Sequence, residues 1–214
     1  MSIFPKLRQP EGSLYCGPYC VVACLAALGR LPFTSSIELR RYVPEEVAFT
    51  GSSIEINDSY DLTSLALELY KVTGIITPGE NPDYIEHSGY NSLGAMLYVL
   101  GQFGLQCKVV IRDDETNRYL RKVFPVEFQL MEKLQVPVSI LDMEESTPNK
   151  TMLISVVSVD DSLHYILNSA QGEWFDSGVD DVTNSKWDFI ENWHSSSDKR
   201  EGASWLGVSI QISY

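Results

Sequence analysis

The chain has 214 residues, 44% of them hydrophobic and 21% charged, and its 16 basic and 29 acidic residues leave a net charge of −13. That length suits one substantial domain with a sizeable core, and the composition is that of an ordinary globular protein. So acidic a surface repels phosphate backbones and anionic membranes, which argues against nucleic acid and membrane as partners and leaves a protein or peptide substrate, basic or neutral, as the one most easily admitted.

The opening residues "MSIFPKLRQPEG" hold no long apolar region, so they are not a secretory signal, and no apolar run approaches the ~20 residues of a membrane span. Four cysteines in such a length are too sparse for a disulfide framework. The expected compartment is therefore reducing cytoplasm, or the outside by a route without a cleaved signal.

Taken in chain order, the first element is a helix from Gly17 to Leu28, apolar on nearly every face and so buried, with Gly29 as its stop and Pro32 beyond. "SSIELRRYV" reads as a short helix stopped near Pro44, and "EEVAFTGSSIEINDSY" shows no clear period. In "DLTSLALELYKVTG", Asp61 can cap a helix whose apolar face is Leu62, Leu65, Ala66, Leu69 and Val72, with Gly74 ending it. "ITPGENPDYIEHSGY" is a loop by its turn formers. "NSLGAMLYVLGQFG" is a third helix, "LQCKVVIR" a strand and "FPVEFQLMEKLQ" a short amphipathic helix.

From there strands dominate: "VPVSILDM", "KTMLISVVSVDD", "SLHYILNSA", "GEWFDSG" and "WLGVSIQISY", with "DKREGAS" as an exposed turn. Helices first and strands last predict an α+β fold with an antiparallel sheet. Without a linker, the expectation is one domain, residues 1–214, in two lobes.

Three cysteines fall in "SLYCGPYCVVACLAAL". Zinc needs two close pairs or matched histidines, and neither exists, so no metal is expected. A four-residue helical spacing is poor disulfide geometry. Cys20 and Cys24, inside the apolar helix, read as packing, as does Cys107 on its strand. Cys16 differs, because it stands where the helix begins, before Gly17 and Pro18. Unpaired amides and the helix dipole there favour a thiolate, the nucleophilic form.

A nucleophile needs a base, an orienting group and an oxyanion donor. His87 and His194 lie in polar surroundings and read as surface residues. His164 stands at the mouth of the strand "HYILNS" and is the candidate base. If "LHYILNS" and "GEWFD" pair through "AQG", Asp176 returns to His164. Asn168, four residues along the same strand and so about 13 Å away, is a weaker orienter, and Asp180 and Asp181 read as solvated. Gln9, in the loop feeding the helix, can donate to the same carbonyl as the Cys16 amide.

In this order (Gln9, "YCGPYCVVACLAALG", "GYNSLGAMLYVLGQFGLQCKVV", "LQVPVSIL", "HYILNS", "EWFDSG") the chain resembles the papain-fold cysteine peptidases, and within them the C39 and C39-like group. The resemblance implies a papain-like fold, its helical lobe led by the Cys16 helix and packed on an antiparallel sheet. It implies Cys16 as nucleophile, His164 as general base and then acid, Asp176 as orienter, Gln9 in the oxyanion hole, and no cofactor. The transporters of that group join such a domain to a membrane region and an ATPase, which this chain lacks, so cleavage of a bacteriocin leader is not implied. The expected function is a cysteine peptidase or amide hydrolase working through a thioester, as a processing protease or bacterial effector. The alternatives are a papain-like glutamine deamidase or amidase toxin, and a non-catalytic papain-like module that holds a peptide without cutting it.

Overall fold

Apolar side chains on every face of the first helix require that it be surrounded, and the rest of the chain surrounds it. A computed structural model describes residues 2–57, 60–75, 90–141, 151–169, 172–179, 190 and 203–213. Within them the chain runs α1 (Cys16–Ala27), β1 (Ile37–Arg40), β2 (Ser53–Ile56), α2 (Leu62–Thr73), β3 (Gly74–Ile75), β4 (Tyr90–Asn91), α3 (Leu93–Gln102), β5 (Gln106–Ile111), α4 (Asp114–Val123), α5 (Pro125–Lys133), β6 (Val138–Ile140), β7 (Thr151–Val159), β8 (Ser162–Ser169), β9 (Trp174–Phe175) and β10 (Ser204–Ser213). His87, His194, Asp180 and Asp181, with most of the "ITPGENPDYIEHSGY" and "DKREGAS" loops and part of the "AQG" turn, lie outside the described residues.

Helix α1 is buried without a break from Cys16 to Leu25 and packs on α2, α3 and strand β8. The caps are those its neighbours need. Asp61 accepts from the Ser64 amide at 2.9 Å to start α2, and Ser92 accepts from the Ala95 amide at 3.0 Å to start α3.

The main sheet has the order β6-β5-β10-β7-β8-β9. The last strand, β10, lies between β5 and β7, with Ile210 opposite both Val109 and Ile154. Side-chain alternation then sorts the strands. Val109, Ile111, Met152, Ile154, Leu167, Ile210 and Ile212 join the helices in one core. Leu153, Val157, Val159, Ile166, Trp174 and Trp205 gather in a second cluster. The fold is α+β with a largely antiparallel sheet.

Three elements differ from the sequence expectation. "SSIELRRYV" is not a helix; it contains β1, which pairs with β2 so that Ile37 faces Ile56 and Leu39 faces Ile54. Four residues are too few to show a period of two, and the partner lies well along the chain, so helical propensity misleads here. Helix α4 falls in a segment read as no element; it is mostly polar and buries none of its residues fully, with Leu120 packed part-buried against the core and Arg121 over the Phe128 ring. Its ends suit a helix: Asp113 accepts from the Thr116 amide at 2.7 Å, Asp114 and Glu115 occupy the first turn, and Arg121 and Lys122 the last. Strand β6 runs parallel to β5, because α4 and α5 between them supply the crossover that a parallel pair needs.

The interior cysteines of α1 behave as packing. The Cys20 thiol reaches the Tyr165 carbonyl at 3.4 Å, and the Cys24 sulfur lies 3.7 Å from that of Met152. Replacing either by Ala is expected to cost about 1 kcal/mol or somewhat more in urea denaturation while turnover survives. A folded Cys24→Ala protein with no turnover would show that the helix interior does more than pack.

Candidate active site

Helix α1 begins at Cys16, preceded by Tyr15, whose side chain makes no capping hydrogen bond. Its first amides have no acceptor within the helix, and Pro18 has none to satisfy. The start of the helix thus leaves unpaired N–H donors near Cys16, a residue 6% exposed.

His164 is the third residue of β8, opposite Val157. Strands β8 and β9 pair with Leu167 facing Phe175 and Asn168 facing Trp174. One further step of that register sets Asp176 opposite Ile166, the diagonal neighbour of His164, within side-chain reach. The contact forms: His164 Nε2 lies 2.7 Å from Asp176 Oδ1, with the carboxylate 2% exposed. A carboxylate only accepts, so Nε2 donates to Asp176 and Nδ1 is left for another partner; Cys16 is near enough to act on the ring electrostatically. Asn168 is buried as well, but its Oδ1 has no hydrogen-bond partner among the described residues; the side chain on the imidazole is that of Asp176.

Burial by itself depresses the His164 pKa. The hydrogen bond to Asp176, the interaction with Cys16 and the Asp176 charge outweigh it and push the value up to about 9. Burial pushes the other thiols up: Cys107 to about 12, and Cys20 and Cys24 well above the usual thiol range. These three are held in the unreactive form.

Gln9 is clamped at both ends of its amide. Ser177 Oγ donates to Gln9 Oε1 at 2.7 Å, which turns Nε2 the other way, to the Ser13 carbonyl at 2.8 Å. The Gln9 backbone amide also donates to the Ser177 carbonyl at 2.9 Å. One of the two Nε2 protons is taken by Ser13 in this arrangement, and the amide carries a second. The residue just after Asp176 therefore fixes the loop that leads to Cys16.

A pocket of about 150 Å³ opens beside Cys16. Leu14, Leu93, Phe124, Phe128, Met131 and Leu206 give it an apolar wall, and Asn91 and Glu127, with the hydroxyl-bearing Tyr90 and Tyr165, also line it. Glu127 is spoken for by the start of α3: its Oε2 accepts from the Gly94 amide at 2.6 Å and from Ser92 Oγ at 3.0 Å, and burial raises its pKa. The volume suits one aromatic ring or branched aliphatic group. Among the described residues no group of three His, Cys, Asp or Glu is placed to hold a metal ion, and no helix is long and apolar enough to cross a membrane.

Cys16 at the start of a buried helix and the His164–Asp176 pair at the end of the sheet are the groups that make up the candidate site. The family model for "Invasion plasmid antigen J, cysteine protease" matches residues 8–214, and the chain belongs to that family. No curated protein and no solved structure matched the chain. The family makes a protein the class of substrate.

Sequence reasoning missed Ser177 and Asn91. Ser177 follows Asp176 directly, and a small hydroxyl there gave no period or motif. Asn91 stands before an apolar helix, where a polar residue reads as part of a cap.

Because the imidazolium is held by its partners, the stability it contributes is complete below its unfolded value near 6.5 and is lost as pH rises through about 9. A reaction that uses the imidazolium loses rate over the same upper limb. Asp176→Asn removes the charge and keeps the shape, so the alkaline limb of the kcat/KM profile is expected to move down in pH, a shift that pH-rate measurements on the two proteins would reveal. An unmoved limb would mean that the carboxylate charge does not tune the ring.

Proposed function

We propose that the chain is a thiol peptidase that works through a Cys16–His164–Asp176 triad and a thioester acyl-enzyme. The observation that supports this reading is the His164 ring, bound to Asp176 at 2.7 Å and near enough to Cys16 that the two groups act on each other electrostatically. His164 takes the Cys16 proton, and the thiolate adds to the scissile carbonyl. The oxygen that becomes negative is held by the Cys16 amide and the second Gln9 Nε2 proton. His164 returns the proton to the departing amine, then activates the water that releases the acyl group and restores the thiol.

The order of motifs supports a C39-like arrangement of the papain scaffold, and the family's description supports the setting of a bacterial effector. The apolar pocket beside Cys16 supports a substrate that presents a large apolar group next to the bond that is cut.

Mass analysis of a peptide library after incubation with the protein tests the reaction: new termini mark a peptidase, and a small mass gain without a cut marks a deamidase. Cys16→Ala and His164→Ala are each expected to lower kcat by ~10⁴-fold or more, since nucleophile and base act as a unit. Gln9→Ala is expected to lower it by ~10²-fold. Iodoacetamide labelling of Cys16 no faster than that of Cys107 would instead favour the binding module. The pocket has its own test: Leu206, 36% exposed at the rim, tolerates a charge structurally, so Leu206→Asp is expected to raise KM about tenfold with little change in kcat. Equal kcat and KM for both proteins would place the substrate elsewhere.

A further inference from the structure

Asn91 is buried, 7% exposed, and its side-chain amide and backbone carbonyl reach toward Leu14, Cys16, Thr73 and Tyr165. Its Nδ2 donates to the Leu14 carbonyl at 2.7 Å and lies 3.9 Å from the Cys16 sulfur. Its Oδ1 accepts from Thr73 Oγ1 at 3.1 Å, and its backbone carbonyl accepts from the hydroxyl of Tyr165, the residue after His164, at 3.1 Å. A carbonyl can only accept, so the atom facing Leu14 must be the nitrogen, and Thr73 holds the oxygen on the opposite side. The amide therefore cannot be turned round. One of its two N–H groups is spent on Leu14; the other has the sulfur as its neighbour.

The fold makes room for this contact. A methyl group at Gly17 would lie 2.8 Å from both Cβ and Cγ of Asn91 and 2.9 Å from the Met96 sulfur. No side chain fits there without driving the amide off, so the glycine after the nucleophile is a condition of the Asn91 contact.

We propose that Asn91 is a positioning residue for the nucleophile: it fixes the loop before Cys16 through Leu14 and aims an N–H at the sulfur, favouring the thiolate over the thiol. The inference rests on Cys16 being the nucleophile. It adds a donor on the side of the sulfur formed by β4, distinct from the His164 side and from the Gln9 loop. The 3.9 Å separation is long for the thiol and shortens as charge forms on sulfur, in the way that such contacts tighten along a reaction.

The test is the pH profile of Cys16 alkylation by iodoacetamide, followed by peptide mass analysis in the wild-type, Asn91→Ala and Thr73→Val proteins, each checked by thermal melting. Thr73→Val removes only the hydroxyl that holds the amide in place. The titratable groups facing the sulfur (His164, Cys20, Tyr70 and Tyr165) are the same in all three proteins. Loss of one hydrogen bond to a charged group is expected to raise the midpoint of the profile by about one pH unit in Asn91→Ala, with labelling below the midpoint slowed about tenfold. Thr73→Val is expected to move it the same way by less.

A merely structural role lowers the melting temperature and leaves the midpoint in place, and that result in a folded Asn91→Ala protein would overturn the proposal. Should Asn91→Ala not fold, an unmoved midpoint in Thr73→Val overturns it equally. Wild-type labelling of Cys16 no faster than of Cys107 would remove the nucleophile itself, a different failure, visible before any variant is compared.

Discussion

Burying a carboxylate beside an imidazole is costly unless each holds the other. At His164 and Asp176 the separation is 2.7 Å, with the carboxylate 2% exposed. That one contact constrains much of the sheet. It requires β8 and β9 to pair in a single register, since a slip of one residue would turn Asp176 to the other face. It requires the loop after β9 to close tightly, which the Gly178 amide achieves by donating to Asp176 Oδ1 at 2.8 Å. It also requires β8 to be held on its far side, where β7 matches it from Met152–Ser169 to Val159–Ser162. A site whose function depends on tenths of an ångström is thus placed on strands, with the loop contributing only its first residue.

The helix that carries Cys16 was legible because it is apolar all round and closes on a glycine, two signals that need no knowledge of the partner. The place of Cys16 at the start of that helix was legible from the Gly-Pro that follows it. His164 and Asp176 could be paired because the chain between them is short, so that local turn geometry stands in for long-range contact. Helix α4 was not legible, since it is mostly polar and buries none of its residues fully; Leu120 alone of its residues packs on the core, and one apolar position gives periodicity nothing to read. Strand β1 failed for the opposite reason, because what makes it a strand is β2, and a four-residue element cannot announce its partner. Ser177 and Asn91 share that difficulty. Their roles consist of contacts with Gln9 and Cys16, 168 and 75 residues away in sequence, and a single polar side chain has no pattern from which such a contact can be inferred.

The N-terminal arm joins the two halves of the site. Ile3 donates its amide to Glu173 Oε2 at 2.8 Å, Phe4 packs its ring 6.1 Å from that of Phe175, and Gln9 is held twice by Ser177. Glu173, Phe175 and Ser177 are alternate residues, so the arm follows one side of the segment that carries Asp176. The arm then turns into α1. Cys16 and Asp176, far apart in sequence, are in this way tied by a second route besides His164. Gln9 is a strut in that route, its Oε1 held by Ser177 and its Nε2 by the Ser13 carbonyl.

A net charge of −13 and an apolar pocket act at different ranges on the choice of substrate. The charge works over about a Debye length and only biases which molecules approach, favouring basic or neutral segments. The pocket acts on contact. A carboxamide side chain seated there would give up its hydration against Leu93, Phe128 and Met131 with few groups to replace it, and a sugar would lose still more. An apolar group gains from the same transfer, at about 25 cal/mol for each Å² it removes from water. Glu127 does not reverse this balance, because the Gly94 amide and the Ser92 hydroxyl already engage its carboxylate. The wall of the pocket thus favours an apolar group, over a carboxamide or a sugar, as what it holds.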